Sequence, residues 1–161
     1  MNIRSATEGD FSAMAEIYNQ YIGVSTMDLS TKTASYFEGL ILKQDDSEGL
    51  YVVESPSQIL GWGILKKYSD REGYAKAAET SVYIDSYHRA KGCGGAMKTH
   101  LMAEAKRNGY RHLVAKIWAN NQTSIQYNLK FGYSIVGTQK QIGFVNGEWI
   151  DVVIMQYVFE D

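Results

Sequence analysis

Cysteine is almost absent from the 161 residues: Cys93 stands alone. A single thiol cannot build an internal disulfide framework or a cysteine-rich zinc site, and it fits a reducing compartment. Proline is as scarce, with only Pro56, in Glu54-Ser55-Pro56-Ser57-Gln58, a turn signal. No apolar run approaches the roughly 20 residues that span a bilayer. The first residues turn polar at Thr7-Glu8-Gly9-Asp10 and lack the apolar centre of a signal peptide, so the expected setting is cytoplasmic. Charge of one sign is also missing. Sixteen basic and 18 acidic residues leave a net charge of −2, with no excess to neutralise a phosphate backbone. Neither nucleic acid nor membrane is an expected partner.

What is present is an ordinary globular composition, 45% hydrophobic and 21% charged. No repeat, low-complexity tract or linker divides the chain, which predicts one domain over 1–161. Ile3–Ala6 reads as a strand. Asp10 then reads as the N-cap of a helix carrying Phe11, Met14, Ile17, Tyr18 and Tyr21 at helical spacing. Ser35–Lys43 reads as a second helix. Leu50–Val53, Gln58–Lys67 and Ala77–Ile84 read as strands with turns between them. From Gly94 the period is helical again: Met97, Leu101 and Ala105 form the inward stripe, and Lys98, Glu104, Lys106 and Arg107 are expected in solvent. Arg111–Trp118 is a strand. A helix capped by Asn120 or Asn121 runs to about Phe131. Tyr133–Gln141 and Glu148–Phe159 close the chain as strands around the hairpin signal Asn146-Gly147. The order β-α-α-β-β-β-α-β-α-β-β predicts an α+β sheet with helices on its faces.

The segment from Val82 to Met97 carries the most chemistry: a strand, then Arg89-Ala90-Lys91-Gly92-Cys93-Gly94-Gly95, then an amphipathic helix. Glycine lets backbone N–H groups approach a ligand closely. The first N–H groups of a helix lack internal partners and lie at the positive end of its dipole, which makes an anion site suited to phosphate. Arg89 and Lys91 add positive charge. The loop is not a P-loop, because Met97 rather than glycine precedes Lys98-Thr99, and Met97 also occupies the third glycine position of a dinucleotide fingerprint. A glycine-rich turn is also common punctuation without any ligand.

Arg89-Ala90-Lys91-Gly92-Cys93-Gly94 resembles the Q/R-x-x-G-x-G/A signature of the GCN5-related N-acetyltransferase (GNAT) superfamily. More narrowly, Ile3-Arg4-Ser5-Ala6-Thr7, Glu79-Thr80-Ser81-Val82-Tyr83-Ile84, Asn121-Gln122-Thr123-Ser124-Ile125, Phe131-Gly132-Tyr133 and Gly147-Glu148-Trp149-Ile150-Asp151 resemble the phosphinothricin/methionine sulfoximine acetyltransferase family. The resemblance implies the GNAT fold, a mixed sheet of about seven strands with helices on both faces. It implies acetyl-CoA as co-substrate and no metal. The pyrophosphate is then expected at Arg89, Lys91, Gly92, Cys93, Gly94 and Gly95, and the pantetheine arm beside Val82, Tyr83 and Ile84. Asn121 and Ser124 are expected near the coenzyme, although Asn121 also reads as a plain helix cap.

Glu79 is the family's candidate general base, able to take the proton that keeps an ammonium from attacking a thioester. Alternation puts Glu79, Ser81 and Tyr83 on one strand face, opposite Ala78, Thr80 and Val82. The alternative for Glu79 is a solvated edge-strand carboxylate. Asn128 stands where relatives usually carry histidine or tyrosine. Asparagine is not a proton donor of that kind, so the general acid is unassigned. Trp118 stands where relatives often have a smaller or acidic residue, which implies an altered acceptor pocket. For an amino-acid-like acceptor, Arg71 is the expected carboxylate partner with Lys76 as second candidate, and Met27, Tyr74 and Trp149 are expected pocket walls. Each also reads as ordinary surface or core. A Cys93–His88 nucleophile pair lacks an orienting residue, and His88, His100 and His112 do not share metal-ligand spacing. The β-forming last strands could pair across a two-fold axis, and a homodimer is expected. The expected acceptor is a small amine of the phosphinothricin, methionine sulfoximine or methionine sulfone type. Another amine (peptide, polyamine or antibiotic) and a catalytically silent acyl-CoA-binding module are the rival readings.

Overall fold

Two consecutive valines in the second strand, Val52 and Val53, are both fully buried, as happens only where a sheet is covered on both faces. The computed structural model, which describes residues 1–161, shows that arrangement. In chain order the elements are β1 (Asn2–Ser5), α1 (Phe11–Asn19), α2 (Ala34–Lys43), β2 (Gly49–Glu54), β3 (Ile59–Lys67), β4 (Ala77–Ile84), α3 (Cys93–Arg107), β5 (His112–Trp118), α4 (Gln122–Lys130), β6 (Ser134–Val145) and β7 (Glu148–Val158). The strands form one seven-stranded sheet in the order β1-β2-β3-β4-β5-β7-β6. Only β4 and β5 run parallel. This is the GNAT fold that the resemblance implies.

Each face has its own core. Phe11, Met14 and Phe37 from α1 and α2 pack on Val52, Trp62 and Ile64. Met97, Leu101 and Ala105 from α3 pack on the other face with Val53, Leu65, Leu113 and Met155. The feature that positions the site lies between these layers. β4 pairs with β5 only over Ala77–Glu79 against His112–Val114. Beyond that point β5 continues against β7, while Thr80–Ile84 stays paired with β3 on its other side. The two parallel strands therefore diverge, and the β5-facing edge of Thr80–Ile84 has no strand partner.

Three expectations are corrected. Asp10 stands at the N-cap of α1 as expected, but its side chain makes no capping hydrogen bond. Its carboxylate accepts from both terminal nitrogens of Arg4, at 2.7 and 2.9 Å, and from the Thr7 N–H at 2.8 Å. Strand β6 runs to Val145 rather than stopping at Gln141. Gln141 takes φ 53° in a bulge, held by its N–H donating to Asp151 Oδ1 at 2.7 Å, and pairing resumes at Gly143. Lys98 is not in solvent; it is buried. The Asn146-Gly147 turn is as expected, with φ 53° and 80°, the twin left-handed pair of a type I′ hairpin.

Candidate functional site

Three adjoining hollows make one trench across the gap between β4 and β5. The first, of about 580 Å³, lies at the glycine loop. Gly92 takes φ 84°, a left-handed conformation that glycine adopts without Cβ strain. The Ala96 N–H makes the first helical bond, to the Gly92 carbonyl at 3.0 Å. The N–H groups of Cys93, Gly94 and Gly95 therefore precede the helical ladder of α3 and have no partner within it. The loop is tied down by Tyr21, whose hydroxyl donates to the Ile84 carbonyl. Arg89 stacks on that tyrosine, its guanidinium 5.1 Å from the ring centre, and its Nε donates to the hydroxyl at 3.3 Å. Arg89, Gly92, Gly94, Gly95, Val82, Ile84, Asn121 and Ser124 all border this hollow. The Asn121 side chain accepts from the Ser124 N–H at 3.2 Å, so it caps α4 while facing the trench.

The middle segment, of about 230 Å³, lies where the strands part. Thr80, Val82, Lys98, Tyr127 and Asn128 border it. It is polar and short of partners: Thr80 Oγ1, Tyr127 Oη and Asn128 Oδ1 are buried without a hydrogen bond, as is the nearby Tyr133 Oη. Buried polar atoms are normally paired, so this cluster is unusual. Asn128 Nδ2 donates to the Ser124 carbonyl at 2.8 Å. Lys98 is 5% exposed, with its Nζ 4.0 Å above the Tyr133 ring. Burial alone pushes its ammonium down to about 7. Burial likewise pushes the Tyr133 phenol up to about 12.

The third segment is a cavity of about 1090 Å³ on the α1–α2 face. Glu79, Ser81 and Tyr83 point into it together, as alternation requires. Glu79 Oε2 lies 3.7 Å from Lys116 Nζ and 4.0 Å from Lys66 Nζ. Asp28 is the other carboxylate in the lining, and it accepts from the Tyr18 hydroxyl. Burial first, and Asp28 with it, hold that phenol well above the usual tyrosine range. Tyr83 is pushed up to about 12, chiefly by burial.

Most of the expected site residues meet in this trench, and some do not. Met27 and Tyr74 line the acceptor-side cavity, as do Lys76 and Trp118. Arg71 is exposed and lies outside the lining, as does Trp149, which packs tilted against Phe144 at 4.8 Å between ring centres. Lys91 is exposed on the loop and lies outside the lining of the hollow. The Cys93 side chain is buried in the α3 core, so only its backbone faces the anion site. His88 pairs with Asp85 at 3.0 Å instead of with Cys93. No group of three histidine, cysteine or acidic residues is placed to hold a metal ion. Sequence reasoning missed Lys66, Lys116 and Lys98. Lys66 stands directly opposite Glu79 in the β3–β4 register. Lys116 is two residues beyond the Val114 that pairs with Glu79, on the same alternating face. Lys98 is three residues before Leu101 and four before Met102, inside the apolar stripe rather than across from it.

The sequence profile described as an acetyltransferase (GNAT) domain matches residues 3–154. The chain belongs to that family. A phosphinothricin N-acetyltransferase of Streptomyces viridochromogenes is 30% identical over 99% of this chain and 88% of its own. An L-methionine sulfoximine/L-methionine sulfone acetyltransferase of Salmonella typhimurium is 27% identical over 100% of this chain and 96% of its own. A Salmonella typhimurium protein solved with its cofactor acetyl-CoA superposes with a TM-score of 0.90 at 26% identity, covering 100% of this chain and 95% of its own.

Proposed function

We propose that the protein transfers the acetyl group of acetyl-CoA to the amino group of a small amino-acid-like acceptor of the phosphinothricin or methionine sulfoximine type. The observation that carries this reading is the continuous trench. An anion site at the start of α3 leads along the unpaired edge of β4 to a cavity holding a carboxylate. The parts fit the coenzyme in order. Three free N–H groups and Arg89 suit its pyrophosphate. The open edge of Thr80–Ile84 offers backbone groups to its amide-bearing arm, as a sheet edge accepts a peptide.

Glu79 then acts from the opposite end. It accepts the proton that the acceptor ammonium must lose before its nitrogen can attack the thioester, directly or through one water. Lys66 and Lys116 flank that carboxylate, and their ammonium groups face the same cavity. They supply the cation for an acceptor carboxylate or phosphinate in place of Arg71, which lies outside. Attack occurs with both substrates held at once, because the trench joins the two sites and Cys93, the only thiol, is turned into the core.

The test is thiol release from acetyl-CoA with and without L-methionine sulfoximine, for the wild type and Glu79→Gln. Acceptor-dependent release is expected from the wild type. Glu79→Gln is expected to keep acetyl-CoA affinity and to lose turnover by about 10²-fold or more. Undiminished activity of the variant from about pH 6 to pH 9 would remove Glu79 from this role. Binding of acetyl-CoA without acceptor-dependent release would point to a different amine or to a silent binding module.

A further inference from the structure

We propose that Lys98 is the proton donor to the departing thiolate of coenzyme A. The inference rests on the transferase reading above. Its starting point is a buried lysine without an ionic partner. Lys98 makes no ion pair and no side-chain hydrogen bond within the chain; its ammonium lies 4.0 Å from the centre of the Tyr133 ring. Burying an ammonium this way is costly, and a methionine would fill the same space without the charge. The cost is placed at one point only, the middle segment of the trench.

That segment is where a thioester arrives. An arm anchored at Gly92–Gly95 and lying against Ile84 and Val82 runs toward Glu79. It meets the parting of the strands at Thr80, beside Lys98 and Asn128. The other groups there are poor acids. Asn128 is an amide and not an acid: one Nδ2 hydrogen goes to the Ser124 carbonyl and its Oδ1 only accepts. The Tyr127 hydroxyl lies toward the glycine loop, where a Cβ on Gly95 would stand 2.9 Å from it. Tyr133 is pushed up to about 12 by burial. The other cation on this segment, Lys116 from β5, is engaged with Glu79 at 3.7 Å. No carboxylate faces Lys98 from β4, β5 or α4, so burial alone sets its proton affinity, at about 7. A donor of that strength is well matched to a thiol whose ordinary value is about 8.5.

The step balances. The acceptor nitrogen forms its bond to the carbonyl carbon, and the carbon–sulfur bond breaks with its electron pair going to sulfur. The Lys98 ammonium first stabilises that charge, then transfers one proton to sulfur and becomes a neutral amine. The acceptor nitrogen loses two protons in becoming an amide, the first to Glu79. One proton returns to Lys98 through water, leaving amide, free thiol and one proton released.

The experiment compares wild type, Lys98→Met and Lys98→Arg. Calorimetry measures affinity for coenzyme A and for desulfo-coenzyme A, thiolate absorbance reports the bound sulfur, and kcat is followed against pH. The wild type is expected to prefer coenzyme A by about 10-fold, with the bound sulfur held as thiol and a kcat that falls as Lys98 loses its proton. In Lys98→Met the preference vanishes. Its kcat drops by about 10- to 10²-fold with the KM for acetyl-CoA nearly unchanged, and the alkaline fall disappears. Lys98→Arg keeps the charge but cannot give up its proton. It keeps the preference and loses turnover and the alkaline fall. A Lys98→Met protein that loses turnover while keeping the coenzyme A preference and the wild-type pH profile assigns Lys98 a structural role and overturns the proposal, as does one with wild-type turnover. A wild type that binds neither coenzyme A nor acetyl-CoA overturns the transferase reading, and this proposal with it.

Discussion

Lys98 sets stability against function at a single position. Its folded value of about 7 lies below the ordinary 10.5 of a lysine, so the unfolded chain binds the extra proton throughout that interval. The sign is therefore opposite to that of a lysine gaining a partner. The full penalty is present below about pH 7, on the order of 5 kcal/mol, and it shrinks as pH rises from 7 toward 10.5. Lys98→Met removes the ammonium and leaves an apolar chain of similar length beside the Tyr133 ring. The variant is expected to be more stable than the wild type at pH 6, melting at least about 3 °C higher. The difference should narrow steadily in melts run at successively higher pH. A residue kept for the fold behaves in the reverse way. Lower stability of Lys98→Met at every pH would show that the Tyr133 contact outweighs the cost of burying the charge.

At the scale of the elements, the parting of β4 from β5 depends on how β4 is held by β3. Gly61 in β3 stands opposite Ile84. A Cβ there would lie 2.7 Å from the Tyr83 carbonyl oxygen, a backbone atom that cannot turn aside. Gly61→Ala is expected to push the Val82–Ile84 stretch out of place, costing about 1–3 kcal/mol of stability in urea unfolding. Its acetyl-CoA affinity should fall too, because that stretch borders the coenzyme end of the trench. Stability and affinity equal to the wild type would mean that β4 adjusts freely. Features set by local period or turn chemistry were legible from sequence. The α3 stripe of Met97, Leu101 and Ala105, the Asn121 cap and the Asn146-Gly147 hairpin are of this kind. Features set by distant partners were not. Asp10 reads as a cap until Arg4 and Thr7 claim its carboxylate. The end of β6 depends on Asp151, ten residues away from Gln141. The lysines around Glu79 follow from strand register, which no single segment encodes. Lys98 was misread because a charge beside a stripe is usually solvated.

Across the whole molecule the two ends of the sheet are unlike. β1 closes one end, tied to β2 and to the turn before α1 by Arg4 bridging Asp10 and Glu54. The other end, β6, pairs with β7 alone and leaves Ile135, Val136, Ile142 and Phe144 exposed, with Trp149 beside them. Edge strands of monomeric proteins are normally blunted by charge or proline, yet from Ser134 to Val145 the only charged residue is Lys140. We propose that a second copy of the chain covers this edge about a two-fold axis, which buries the same patch on both copies. The consequence reaches the site, because Val136, Gln139 and Ile142 also line the acceptor cavity. A partner seated on β6 would stiffen that wall and narrow its mouth. The double variant Ile135→Lys, Phe144→Lys places charge on two exposed positions outside the cavity lining, so the fold should tolerate it. Sedimentation at tens of micromolar is expected to show the wild type at twice the mass of the chain and the variant at once that mass. The monomeric variant should keep its affinity for acetyl-CoA and show a raised KM for the amine, since only the acceptor end of the trench borders β6. A wild type that sediments as a single chain, or a monomeric variant with an unaltered KM for the amine, would sever the link between assembly and acceptor binding.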